Sequence, residues 1–151
     1  MKYNPEEDSI THINIYSKSK SDLGKFLTNF SYSPIITEDG KFNSIESYWY
    51  YLSTNIKWEQ LRLRRLSGFE AKKYGQAIKN PTRIDENDFK RKIKLAINYK
   101  IINSDYYEEF IKSELPFTHY YNFGGKVVEP VQHHWLVEYF EELREKLKIN
   151  L

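Results

Sequence analysis

The sequence contains no cysteine, and that absence alone removes disulfide staples, thiol nucleophiles and Cys-ligated zinc from consideration. Long apolar runs are missing too. Nothing approaches the roughly 20 apolar residues of a membrane span, and Met1 to Ser9 are polar and acidic with no apolar signal core. The expectation is a cytoplasmic chain with no membrane partner. Glycine and proline are sparse, at six and five residues, and nowhere cluster into a linker. With 151 residues, the chain is long enough for one substantial core, so the expectation is a single domain over 1–151, residues 1–9 forming a flexible or edge N-terminus. Charge of one sign is also scarce. The net charge of +2 is no argument for nucleic acid by itself, although cations gather at Arg62, Arg64 and Arg65, at Lys72 and Lys73, and from Lys90 to Lys94.

Aromatic residues, by contrast, are abundant. Thirteen Tyr, nine Phe and three Trp make 17% of the chain, enough to furnish a core and leave some rings to line a pocket, where Tyr and Trp offer an apolar body with a hydrogen-bonding tip. Richness in Lys, Asn, Ile and Tyr points to an AT-rich coding source such as a phage or low-GC bacterium.

The pattern along the chain predicts a mainly α, α+β fold with a few short strands. Ile13, Ile15 and Tyr16 alternate with polar residues as a short strand does, and Phe30 to Ile36 is a second extended piece closed by the Asp39-Gly40 turn. From Asn43 the period becomes helical, with Ile45, Tyr48, Trp49, Leu52 and Ile56 on one stripe. Ser67 to Glu70 reads as a capping box opening a helix that stops before Pro81. Acidic residues from Asp85 to Asp88 open a longer helix with Phe89, Ile93, Ala96 and Ile97 on its apolar face. Asn103 or Ser104 caps a short helix, Leu115 to Val128 holds two extended pieces around Gly124-Gly125, and Pro130 opens a final helix. That makes five helices and a minor sheet.

One residue invites a chemical reading on its own. A carboxylate such as Glu46, held in a water-poor pocket, would stabilise a developing positive charge or activate an attacking water. The alternative is structural: Asn43-x-x-Glu46 is also the pattern of a helix cap with its reciprocal glutamate. On a continuous helix Glu46, Tyr50, Ser53 and Lys57 share one face, a polar stripe beside the apolar one. Lys100 lies on an otherwise apolar stripe, where a long stem would carry its charge past the core. His119, His133 and His134 lack a metal-ligand spacing, and Gly124-Gly125-Lys126 lacks the full phosphate-loop pattern, so neither metal nor cofactor is implied.

Several segments occur in the order of a known family. Leu27-Thr28-Asn29-Phe30, Asp39-Gly40-Lys41-Phe42 and Ser44-Ile45-Glu46-Ser47-Tyr48-Trp49 resemble the NADAR (YbiA-like) signature of a Leu-Ser-Asn-Phe turn, an Asp-Gly-Lys turn and a helix opening Val-Glu-His-Tyr-Tyr. Ala71-Lys72-Lys73-Tyr74-Gly75 is similar to its Ala-Lys-x-x-Gly element, and Ile93 to Ile101 to its Met-x-x-Ala-Leu-x-x-Lys-Phe helix. The resemblance spans about Tyr16 to Trp135. It implies a single-domain multihelical YbiA-like fold and N-glycosidase chemistry: family members hydrolyse phosphorylated riboflavin-pathway intermediates or remove ADP-ribose from guanine bases.

The implied substrate is therefore a nucleotide-like or ADP-ribosylated compound, with modified DNA or RNA among the candidates. Residue by residue, the resemblance implies Glu46 as the catalytic group, with Asn29, Trp49, Tyr50 and Trp135 on base and sugar and Lys41 and Lys100 on phosphate; Tyr120 and Lys126 join them as candidate contacts. Where the family carries Gln and Lys, this chain has Tyr50 and Ser53, and Lys57 is the candidate to supply the missing amine, for phosphate or for an imine with an opened ribose. Gln132 stands where the family's Asp-x-x-Trp-Gly element has its aspartate. Two rival classes remain: a non-catalytic module that holds ADP-ribose or an NAD derivative, and a nucleic-acid binder using the Arg62 to Lys73 and Lys90 to Lys94 clusters.

Overall fold

A computed structural model describes residues 3–150. Seven α-helices and six short strands are described, with two 3-10 turns at Pro5–Glu7 and Val131–His133. The fold is mostly helical with several short strands, as the periodicity predicts. No described helix is long and apolar enough to cross a membrane. The residues form two compact units, one from 1–28 and 104–151, the other from 29–103.

In the first unit, α1 (Asp22–Leu27), α6 (Tyr107–Lys112) and α7 (His134–Ile149) surround a parallel pair, β1 (Ile13–Asn14) with β4 (Phe117–Thr118). Leu23, Leu27, Phe110, Phe117 and Phe140 are buried here, each such side chain contributing about 1.5–3 kcal/mol by leaving water. Arg144 fixes β4 from α7: its guanidinium lies 4.2 Å from the Phe117 ring centroid, donates to the Leu115 carbonyl at 2.8 Å and pairs with Glu141 at 2.7 Å. The N-terminal segment is tied in by Asp8, which accepts from the Asn14 amide, the Ser19 hydroxyl and the Lys20 amide. A hairpin of β5 (Tyr121–Phe123) and β6 (Lys126–Val128) turns at Gly124-Gly125, both at positive φ. Pro130 does not open α7. It caps the 3-10 turn, and the helix begins only at His134.

The second unit holds the hairpin β2 (Ile35–Thr37) and β3 (Gly40–Phe42) with α2 (Ile45–Tyr51), α3 (Lys57–Leu63), α4 (Gly68–Gln76) and α5 (Glu86–Ile102). Tyr48, Phe42, Ile93 and Ile97 are fully buried, and the α5 stripe read from the sequence faces this core. Asp39, at the hairpin turn, accepts from the Tyr48 hydroxyl at 2.7 Å and from Lys92 at 2.8 Å.

The predicted helix from Asn43 through Lys57 is two helices. Ser53 bonds back to the Trp49 carbonyl, while the Thr54 hydroxyl accepts from the Ile56 amide and donates to Glu59, so the chain turns and restarts. This break adds one helix to the expected five, and α1, which the sequence reading did not assign, adds the other. Ser67 does stand at the N-cap of α4, but its side chain makes no capping bond.

Candidate functional site

Glu46 sits in the first turn of α2, where the sequence allowed either a cap or a catalytic group. The structure gives the capping role to neighbours. Ser44 is the N-cap and its hydroxyl accepts from the Ser47 amide, while the Ser47 hydroxyl accepts from the Ser44 amide. The Glu46 amide donates to the Asn29 carbonyl at 2.9 Å. The donors that would have drawn its carboxylate back are therefore satisfied without it. Asn43 is displaced by one position from the cap expected of it.

The carboxylate has no hydrogen bond or ion pair among the described residues. Loss of hydration pushes its pKa up from 4.5 to about 7, opposed by the Lys72 ammonium. A carboxylic acid so placed exchanges its proton near neutral pH, as a general acid or base requires.

Loop 29–33 organises the surroundings. Asn29 meets the start of α2, the Ser33 amide donates to Asn43, and the Ser31 hydroxyl accepts from Lys100 at 2.7 Å. Phe30, between them, packs edge-on against Phe69 with centroids 5.0 Å apart, and the Lys72 ammonium lies 5.6 Å from its ring centre. Lys72 thus links an aromatic ring to the electrostatics of Glu46. It appeared in the sequence only as part of a motif and a charge cluster. The signal was the Ala-Lys-Lys-Tyr-Gly element, whose glycine also has a role. Gly75 abuts the Tyr50 ring so closely that a Cβ there would overlap it.

Lys100 is a buried amine with 3% exposure, and desolvation lowers its pKa to about 7. Its nitrogen does not snorkel to solvent as a long stem on an apolar stripe would allow. It ends on loop 29–33 instead. Trp49, on α2, is buried and meets Phe89 edge-on at 4.8 Å. Arg83, which the sequence reading missed, covers Phe89 at 4.1 Å and Trp49 at 5.6 Å, and its Nε reaches the Ser53 hydroxyl at 3.5 Å. Its signal was weak because it lies in an irregular segment, 77–85, with no periodicity.

The remaining candidates are dispersed. Lys57 does not continue the stripe of Glu46, Tyr50 and Ser53, because it is the first, exposed residue of the next helix. Ser53 is buried, and Lys41 is exposed on β3. In the first unit, Tyr120 is buried with its hydroxyl 2.8 Å from His12 Nε2, and burial with the nearby Asp8 raises its pKa to about 12. Lys126 is exposed on β6 and Trp135 half-buried in the first turn of α7. Among the described residues no group of three or more His, Cys, Asp or Glu could hold a metal ion.

Of the two cationic clusters, the one on α5 is neutralised. Arg91 pairs with Asp88 and Glu38, and Lys92 with Asp39. The outer face of α3 is different. Trp58 is 66% exposed beside exposed Arg62 and Arg65, while the helix's one carboxylate, Glu59, turns inward to Thr54.

No family model and no curated protein matches the sequence. Among solved structures, the chain is similar to the NMR structure of the Escherichia coli protein YbiA, with a TM-score of 0.69 and 21% identity over 93% of this chain and 90% of that one. At that identity the likeness establishes a YbiA-like fold.

Proposed function

We propose that this chain is a NADAR-type N-glycosidase that hydrolyses a ribose–base C–N bond, with Glu46 as its acid-base group. The observation that carries the reading is a carboxylate freed from capping, with no hydrogen bond or ion pair among the described residues, whose pKa burial raises to about 7. In the reaction the C1′–N bond breaks and a C1′–O bond forms to water. Water gives up one proton and the departing base nitrogen gains one, and a group poised near neutrality can take the first or deliver the second. Such a group contributes about 10²- to 10⁴-fold. Desolvation also strengthens its attraction for the developing oxocarbenium charge.

Asn29, whose carbonyl accepts from the Glu46 amide, and Trp49 and Tyr50, on the helix of Glu46, are assigned to base and sugar. Lys100 is assigned to a phosphate, which would draw a proton back onto its amine. Lys72 keeps the Glu46 pKa from rising further. A base carried by a DNA or RNA strand is the substrate best matched by the α3 face, since an exposed indole stacks on bases and unpaired arginines meet phosphates.

The second reading, a module that holds such ligands without chemistry, draws on Ser53 and Gln132 standing where the family has Lys and Asp. Incubation with guanine-ADP-ribosylated DNA, a ribosylamino-pyrimidine phosphate and NAD, followed by mass detection of released base or ADP-ribose, separates the two. Release from any of these supports the enzyme. Saturable binding with no release from all three supports the module.

A further inference from the structure

The first unit contains a cleft of about 440 Å³, bordered by Tyr3, Phe117, His119, Glu129, Pro130 and Val137 among others, for which the glycosidase reading has no use. Its volume is in the range of small-molecule pockets and would take a nucleoside. Its walls are mostly flat or apolar.

His133 and His134 also border it, His134 lying 3.6 Å from Glu138, and around His119 and Glu129 its polar chemistry is that of acceptors. His119 Nδ1 is 2.7 Å from the Ile15 carbonyl, which can only accept, so the proton sits on Nδ1. Burial lowers the ring's pKa and keeps it neutral. Nε2 is then a bare acceptor with no hydrogen bond among the described residues. Glu129 adds acceptor oxygens, while Thr118, also on the wall, directs its hydroxyl proton to Asn14 Oδ1. Among the described residues no Lys or Arg borders the cleft. A phosphate there would meet the Glu129 carboxylate with no described Lys or Arg to offset it.

We infer that this cleft binds a flat, uncharged nitrogen heterocycle presenting N–H donors, a nucleobase or its nucleoside, held between rings with its donors on His119 Nε2 and Glu129. The site is independent of Glu46: it discriminates against phosphorylated forms, whereas the proposed catalytic site includes a phosphate-binding lysine.

The test is a titration of the full chain with guanosine, adenosine and cytidine, followed by calorimetry and by the ¹⁵N shift of the His119 ring. Caffeine, a flat heterocycle without N–H donors, and guanosine 5′-monophosphate serve as comparisons. At least one nucleoside should saturate and move the Nε2 signal, with caffeine and the monophosphate at least fivefold weaker. His119→Phe, which keeps a ring and loses the acceptor, should weaken that nucleoside at least tenfold. Glu129→Gln, at an exposed position, should weaken it at least threefold even if the Phe variant does not fold. Glu46→Gln should leave the affinity unchanged. The inference is overturned if no nucleoside saturates, if caffeine or the monophosphate binds as tightly, if Glu129→Gln and any folded His119→Phe bind like the parent, or if Glu46→Gln abolishes the binding.

Discussion

Replacing Glu46 by Gln should stabilise the protein at alkaline pH and leave its stability unchanged in acid. In the unfolded chain the carboxyl ionises above 4.5, in the folded protein only above about 7. Between those limits the folded state holds a proton that the unfolded state has released. Stability therefore falls as pH rises through that window, by about 1.4 kcal/mol per pH, and stays low above it. The whole interval amounts to about 3 kcal/mol as a ceiling. The partial exposure of the residue brings the expectation nearer to about 1–2 kcal/mol.

Glutamine keeps the shape and carries no charge, so the variant lacks this slope. Thermal unfolding at pH 4, 6 and 8 should give coincident midpoints at pH 4 and a variant about 3–8 °C more stable at pH 8. An amide that stabilises while abolishing turnover is the signature of a site held at a cost to the fold. A variant equally or less stable than the parent at pH 8 would refute the claim that this carboxylate sits in a water-poor setting.

Four further outcomes follow from the same geometry. Asp39→Asn removes the charge that Lys92 and Tyr48 share and should cost about 2–3 kcal/mol in urea unfolding at pH 7; because Lys92 and Tyr48 hold the Asp39 pKa below its usual value, this contribution should persist above about pH 4 and fade below it. Gly75→Ala drives a methyl into the Tyr50 ring and should lower stability by about 1–3 kcal/mol and raise KM, measured by unfolding and steady-state kinetics. Lys100→Met should lower kcat/KM at least tenfold for a phosphorylated substrate without lowering the melting temperature, since it removes a cation from the core. Trp58→Ala with Arg62→Glu and Arg65→Glu should weaken single-stranded DNA binding and flatten its salt dependence, read by fluorescence anisotropy from 50 to 200 mM salt, roughly the range over which phosphate contacts are lost.

The parts of the fold that are local were legible in the sequence. The α5 face is set by a 3.6-residue period, its first turn by a run of acids, and the β5–β6 hairpin by two glycines that tolerate positive φ. What was not legible depends on distant partners. Ile13 finds Phe117 across more than a hundred residues, and Asp8 is fixed by amides and a hydroxyl that no period announces. The break after α2 is a contest between a good apolar stripe and the hydroxyls of Ser53 and Thr54. The hydroxyls win because Glu59 accepts from Thr54 and the Ile56 amide donates to it.

At the candidate site, Glu46 could be singled out by type and position, but its freedom could not. Asn43 and Ser44 are equally good caps, and the choice between them is made by loop 29–33, which brings the Asn29 carbonyl to the Glu46 amide. The same loop takes Lys100 out of the class of snorkelling lysines. Lys57 was lost from the site by the break in the helix, a change of one turn that no stripe could survive.

Single-turnover release of base or ADP-ribose, with enzyme in excess over the substrate that the parent cleaves, compares Glu46→Gln with the parent at pH 7. The account predicts that the folded variant binds that substrate with similar affinity and releases product at least a hundredfold more slowly. Release at the parental rate would contradict it.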